Sequence, residues 1–352
     1  MKLIAKEYHQ KTNNQNNFNL IDYDSDHGKY VYFIGIGGAG MSAIAKILIN
    51  EGYIVSGSDM DCSPVTYELG ELGVRINTKQ DGNSLDPDTN LVITSAAINE
   101  NNPDLKKARS LGLKVVKYSE FLGSLMKRKY GIAISGTHGK TTTTAMISTI
   151  LKKTGHEPTF VIGGNVTEIG GNSCVGKGSY FIAEACEYDR TFLNLTPQIG
   201  VITNIEEDHL DYYKDLNGIT EAFTEFVSLI PEDGLLVINH DDKNVRKVAR
   251  GAKCKVESYS IATASDFFNK VILARKTDLQ TYSGRPQIAD WSYERVNRES
   301  DARWLAVVTY SDKDVNHFSV FKKGEYFGDF CLKTPGYIMC QMHLLQYQYV
   351  TT

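Results

Sequence analysis

From residue 30 onward the chain alternates short apolar runs with amphipathic segments. YVYFIGIG (30–37) reads as a buried strand because its apolar run is nearly unbroken. MSAIAKILINEG (41–52) reads as a helix that Gly52 terminates. YIVSGSD (53–59), LVITSAA (91–97) and LKVVKY (113–118) are expected strands, with PDLKKARSLG (103–112) helical before the last of them. The charged MKRKY (126–130) forms a seam, and a second series starts at GIAIS (131–135) with the helix KTTTTAMISTILKKTG (140–155). Strands follow at YFIAEA (180–185), IGVITNI (199–205) and GLLVINH (234–240). Strands that alternate with helices predict a parallel sheet covered on both faces. After about residue 265 the texture changes, and WLAVVTY and HFSVFKKGEYFGDFCL alternate like antiparallel strands joined by Lys-Gly and Asp-containing turns.

Length and composition refine this picture. A chain of 352 residues is too long for one ordinary core, so two or three domains are expected. The net charge of -4 gives no reason to expect nucleic acid or an anionic membrane as the main partner. The first ten residues, MKLIAKEYHQ, lack the apolar run of a signal peptide, and no stretch approaches the roughly 20 apolar residues of a membrane helix. The six cysteines form no C-x-x-C pair, which fits reduced thiols in a cytoplasm. Residues 9–19, rich in Asn and Gln, predict a disordered leader over residues 1–27.

GIGGAG (35–40) places Gly35, Gly37 and Gly40 in a G-x-G-x-x-G pattern, with Gly38 inside it, between a strand and a helix. Such a turn lets the backbone approach a pyrophosphate at the positive end of the helix. Asp59 ends the next strand, where a carboxylate can accept from a ribose or sugar hydroxyl. Taken alone these residues suit an NAD-dependent oxidoreductase as well as any other diphosphate-binding protein.

GTHGKT (136–141) also joins a strand to a helix but lacks the first glycine of the usual P-loop, since Ile134 stands there. Its chemistry survives that loss. Gly136 and Gly139 let the N–H groups of Thr137, His138 and their neighbours converge on an anion. Lys140 can neutralise β- and γ-phosphates, and Thr141, followed by Thr142, offers a hydroxyl to Mg²⁺. Two further groups fit a Mg-ATP site: Glu184 at the end of YFIAEA, and His209 after the strand IGVITNI beside Glu206, Glu207 and Asp208.

Together these motifs resemble the Mur ligases, the ATP-dependent amide ligases of peptidoglycan precursor synthesis. The resemblance covers roughly residues 28–336 and is strongest to members that add L-alanine to UDP-N-acetylmuramate. It implies an α/β fold: a Rossmann-like domain over 28–126 that binds the UDP substrate, then a P-loop-type Mg-ATP domain over 127–336 with an antiparallel β extension. Gly35, Gly37, Gly38, Gly40 and Asp59 would hold the UDP substrate, and residues 136–142 would hold ATP. Thr141 and Glu184 would bind one Mg²⁺, His209 would serve a second, and Lys140, Glu184 and His209 would be the catalytic set. The implied reaction passes through an acyl phosphate. A murein peptide ligase and a non-catalytic UDP-sugar-binding relative share these motifs and stay open at this point.

Departures from the family pattern are local, except at the end. AEACEYD (183–189) has Cys186 and Tyr188 where Asp and Ser are common, which implies altered packing with the metal site kept. Residues 262–290 read as an insertion without assigned chemistry. Family members continue past a Pro-Gly with a helix carrying two asparagines and then a third domain. Here Pro335-Gly336 leads into YIMCQMHLLQYQYVTT, with Met339 and Met342 at the asparagine positions. Back-translation restores both asparagines if one base was lost, so residues 337–352 are expected to be a frameshifted tail that replaces the third domain and impairs turnover.

Overall fold

The computed structural model describes residues 29–263, 303–311, 316–323 and 325–332. The expected leader, nearly all of the expected insertion and the whole 337–352 tail, Met339 and Met342 included, lie outside these residues. Backbone contacts divide the chain into two compact units. One comprises the residues up to Ala133 with Ser148–Gln198, and the other comprises Ile134–Ile147 with the residues from Ile199 on.

The first unit opens with β1 (Tyr30–Ile34), α1 (Ala39–Asn50), β2 (Ile54–Ser58), α2 (Pro64–Glu71), β3 (Arg75–Asn77), β4 (Leu91–Thr94), α3 (Pro103–Ser110), β5 (Val115–Lys117) and α4 (Tyr118–Lys127). The five strands form a parallel sheet in the order β3-β2-β1-β4-β5. Val31–Ile34 and Leu91–Ile93 are almost fully buried, as strands covered on both faces must be. The order reverses direction between β1 and β4, and such a switch point opens a crevice at the carboxyl ends of the strands. The Gly35–Gly40 turn leaves β1 there.

Several strand ends fall short of the sequence expectation, two of them for clear local reasons. The strand expected over 91–97 ends at Thr94, because Ser95 O accepts the Ile98 N–H and closes a turn. The strand expected over 113–118 stops at Lys117. Glu120 reaches back to the Lys117 N–H at 2.8 Å and starts α4 with Tyr118 as its first residue.

The division between units falls within β6 (Tyr130–Ser135) and α5 (Lys140–Lys153). The first unit continues through β7 (Thr159–Val166), β8 (Gly171–Cys174) and β9 (Tyr180–Glu184), in the order β6-β9-β7-β8. β7 runs parallel to β9 and antiparallel to β8. The β7–β8 hairpin packs on α1. There Asn172 Nδ2 donates to Ala39 O at 2.9 Å, and Lys46 Nζ donates to Asn172 Oδ1 at 3.5 Å.

The second unit holds β10 (Ile199–Ile202), α6 (Leu210–Tyr213), α7 (Leu216–Ser228), β11 (Leu235–Asn239), α8 (Lys243–Ala249), β12 (Lys255–Thr263), β13 (Trp304–Ser311), β14 (Asn316–Lys322) and β15 (Glu325–Leu332). Its strand order is β15-β14-β13-β12-β11-β10-β6. Pairing is parallel from β10 to β13 and antiparallel from β13 to β15, so the expected antiparallel extension is present. Trp304, Tyr259, Phe223, Phe226, Phe318 and Phe321 fill its core. Among the described residues no helix is long and apolar enough to cross a membrane.

Candidate functional site

The first glycine turn is fixed almost entirely by backbone bonds. Ser58 O accepts the N–H groups of Gly35 (2.8 Å) and Ile36 (3.1 Å). Asp59 Oδ2 accepts from Gly37 N–H at 2.7 Å, and Asp59 Oδ1 accepts from Asp61 N–H at 3.0 Å. Asp59 therefore braces the turn itself, with lone pairs still to spare for a ligand hydroxyl. Gly38 is the N-cap of α1 and has no side chain with which to satisfy the first amides, so an anion can take that place. Asp59→Ala should orphan the Gly37 amide at a cost of about 1–3 kcal/mol. We expect the Gly37 amide to exchange hydrogen at least about tenfold faster in that variant. Asp59→Asn, which keeps an acceptor oxygen, should change it little.

Gly40 opens onto a cavity of about 170 Å³ in the same unit. A Cβ at Gly40 would lie 2.4 Å from the Tyr118 hydroxyl oxygen, so only glycine admits this approach. Glu184, at the end of β9, lies on the same wall, and its Oε1 accepts from Gly163 N–H at 2.6 Å. The first expected ligand loop and the expected carboxylate thus border one cavity. Burial first, then the charge of Glu184 and Cys186, pushes the Tyr118 phenol up from its ordinary value.

The second glycine loop lies in the second unit. Gly136 has φ +133, and a Cβ there would fall 2.0 Å from Thr203 Oγ1. Residues 203–206, which follow β10, clamp the loop. Asn204 O accepts from Thr137 N–H at 3.0 Å, Asn204 Oδ1 accepts from His138 N–H at 2.8 Å, and Glu206 N–H donates to Thr137 Oγ1 at 3.0 Å. Thr203 Oγ1 donates to His138 O at 2.7 Å. The clamp is itself held by Asp242, the N-cap of α8, whose Oδ2 accepts from Ile205 N–H at 3.0 Å. Lys140, the first residue of α5, folds its Nζ over the loop and donates to Gly136 O (2.6 Å) and Thr137 O (3.1 Å). Thr141 and Thr142 occupy the first turn of α5, with Thr141 exposed.

His209 follows the clamp and belongs to the same unit as the loop. It caps α6 in the left-handed region (φ 50, ψ 42), which costs on the order of 1 kcal/mol for a residue with a Cβ. Its N–H donates to Asp208 Oδ1 at 2.7 Å, and its Nε2 lies 3.8 Å from Asp208 Oδ2. Thr141 and His209 are in the second unit, while Glu184 is in the first.

Sequence reasoning missed Thr203, Asn204, Asp242, Asn172 and Tyr118. The only signal for the clamp was a polar Thr-Asn within the otherwise apolar run IGVITNI. Tyr118 lay in what reads as the end of a strand.

A doubly wound sheet carries a glycine turn at its switch point, and a second sheet carries a glycine loop that ends in Gly-Lys-Thr; both are patterns of nucleotide-binding folds. Two family descriptions match it: "Mur ligase family, catalytic domain" over residues 30–130 and "Mur ligase middle domain" over residues 134–299. The chain belongs to the Mur ligase family. It is 47% identical over 241 residues to a UDP-N-acetylmuramate–L-alanine ligase of Clostridium botulinum (strain Hall), covering 68% of this chain and 52% of the relative. A protein of the same name from Clostridium acetobutylicum is 49% identical over 241 residues, with the same coverage. The chain spans about half the length of these curated relatives. In fold it is similar to the UDP-N-acetylmuramate:L-alanyl-gamma-D-glutamyl-meso-diaminopimelate ligase of Neisseria meningitides. That match has a TM-score of 0.74 at 23% identity, over 92% of this chain and 94% of the other. The UDP-N-acetylmuramate-alanine ligase of Thermotoga maritima gives a TM-score of 0.72 at 24% identity, over 91% of this chain and 64% of the other.

Proposed function

We propose that this chain carries the UDP-substrate and ATP-handling parts of a cytoplasmic ligase that joins L-alanine to UDP-N-acetylmuramate. The observation that carries the reading is the Gly136–Thr141 loop, held open by the 203–206 clamp with Lys140 poised over it. The names of the 46–49% identical relatives support the choice of substrates. They are ligases, and the oxidoreductase reading of the first glycine turn is set aside.

In this reading the Gly35–Gly40 turn, braced by Asp59, binds the UDP diphosphate. The N–H groups of the second loop cradle the ATP phosphates, and Lys140 exchanges its loop carbonyls for β- and γ-phosphate oxygens. The substrate carboxylate attacks the γ-phosphorus and ADP leaves, which forms an acyl phosphate. The amine of L-alanine then attacks the acyl carbon, loses a proton and displaces inorganic phosphate. Two anions meet in the first step, so charge neutralisation and positioning do most of the work. By resemblance, the Thr141 hydroxyl and the Glu184 carboxylate, both oxygen donors, would hold one Mg²⁺, and His209, beside Asp208, would serve a second. Bound there, Mg²⁺ would supply positive charge that neither loop provides alone.

The test is phosphate release by the purified chain given UDP-N-acetylmuramate, Mg-ATP and L-alanine, with each omitted in turn, alongside calorimetric titration of UDP-N-acetylmuramate and ADP. We expect both ligands to bind and release to be slow, as the expected loss of the third domain implies, and to require all three components. Binding of neither nucleotide, or faster turnover with a preformed cell-wall peptide than with L-alanine, would overturn the assignment.

A further inference from the structure

Tyr118 lines the cavity of about 170 Å³, and the chemistry above gives its hydroxyl no role. It begins α4, with its ring laid against Gly40. Among the described residues this hydroxyl makes no hydrogen bond, unlike the neighbouring Ser119 and Thr191 hydroxyls. Ser119 Oγ accepts from Asn194 Nδ2 at 3.0 Å, and Thr191 Oγ1 donates to Cys186 O at 3.0 Å.

Gly40, the last glycine of the first turn, and Glu184 both line the cavity. Apolar Leu122 and Phe192 line it together with Tyr118 and Thr191. A mostly apolar wall with a few polar groups fixed in place is the usual make-up of a small-ligand site, and it suits the apolar face and hydroxyl rim of a pyranose ring. A group attached to a diphosphate on the glycine turn would lie beside Tyr118, whose ring packs against Gly40. A phenol is protonated at neutral pH and so presents a donor there.

We propose that Tyr118 is a specificity-determining residue whose hydroxyl donates a hydrogen bond to the sugar of a nucleoside-diphosphate sugar held by the Gly35–Gly40 turn. This rests on the assignment of that turn to the UDP substrate. Gly40 then has a second task, since its missing side chain brings the phenol within reach of the ligand.

Tyr118→Phe keeps the ring against Gly40 and removes only the hydroxyl. Calorimetric titration of the unaltered chain and the variant with UDP, UDP-N-acetylglucosamine and UDP-N-acetylmuramate separates the possibilities. We expect the Kd of both UDP-sugars to rise roughly three- to tenfold in the variant, with that of UDP unchanged. Equal affinities of the two proteins for all three ligands would overturn the role of Tyr118 and leave the diphosphate assignment standing. An equal loss for UDP and the sugars would also overturn it, because Tyr118 would then only seat Gly40. Failure of the unaltered chain to bind UDP would remove the assignment and the proposal together.

Discussion

Lys140→Ala should lower phosphate release by about a hundred- to a thousandfold and weaken ADP binding in calorimetry. Lys140 is held in place before any nucleotide arrives: its ammonium donates to Gly136 O and Thr137 O, carbonyls of the loop it serves. Those bonds leave the charge at the mouth of the loop with most of its conformational freedom already spent. Meeting a phosphate therefore needs an exchange of acceptors and no large search of rotamers. Lys140→Arg should recover little, because a planar guanidinium cannot turn its donors inward to two loop carbonyls as a compact ammonium does. The clamp does not depend on this side chain, since Asn204, Thr203 and Glu206 hold the loop through Thr137 and His138. The variant should thus keep its melting temperature. A large fall in stability together with activity would mean that Lys140 holds the loop together.

Asp104→Ala should destabilise the first unit by about 3–4 kcal/mol. This carboxylate is fully buried near the start of α3. Its Oδ2 accepts from Ser58 Oγ at 2.6 Å and Tyr32 Oη at 3.1 Å, and its Oδ1 accepts from Gly82 N–H at 2.7 Å. Alanine leaves three buried donors without an acceptor. The cost reaches the ligand turn as well, because Ser58 O receives the Gly35 and Ile36 amides. Thermal unfolding should show a fall of roughly 6–12 °C. Asp104→Asn, which keeps one acceptor oxygen, should fall between the variant and the unaltered chain. A melting temperature for Asp104→Ala within a degree or two of the unaltered chain would show that water replaces the lost acceptors.

The elements that frame the site were legible because each combines a continuous apolar run with a glycine turn and a helical period. Val31–Ile34 before Gly35, and Ile132–Ile134 before Gly136, are such cases. Local pattern identified both loops and left their supports unread. Asp104 in a first helical turn reads as a residue that complements the helix dipole, yet it is the buried acceptor for three distant donors. TFVIGGNV starts as an apolar run and then breaks into Gly-Gly-Asn, so no period marks it as β7. Asn204 and Asp242 sit in polar loops whose importance comes from partners far along the chain: His138 lies 66 residues from Asn204, and Ile205 lies 37 from Asp242. Periodicity reports what a segment does for itself, and these residues act for others.

The seating of α1 on the β7–β8 hairpin has a practical consequence. The family match that contains α1 ends at residue 130, whereas the hairpin that covers α1 and ties down Ala39 through Asn172 lies inside the next match. Evolutionary modules and folding modules are therefore cut at different places in this chain. A fragment divided at the seam between the two matches would keep every residue of the Gly35–Gly40 turn and lose the cover of the helix behind it. Such a fragment is a poor starting point for ligand screening, and a boundary placed after Gln198 respects the compact unit on that side.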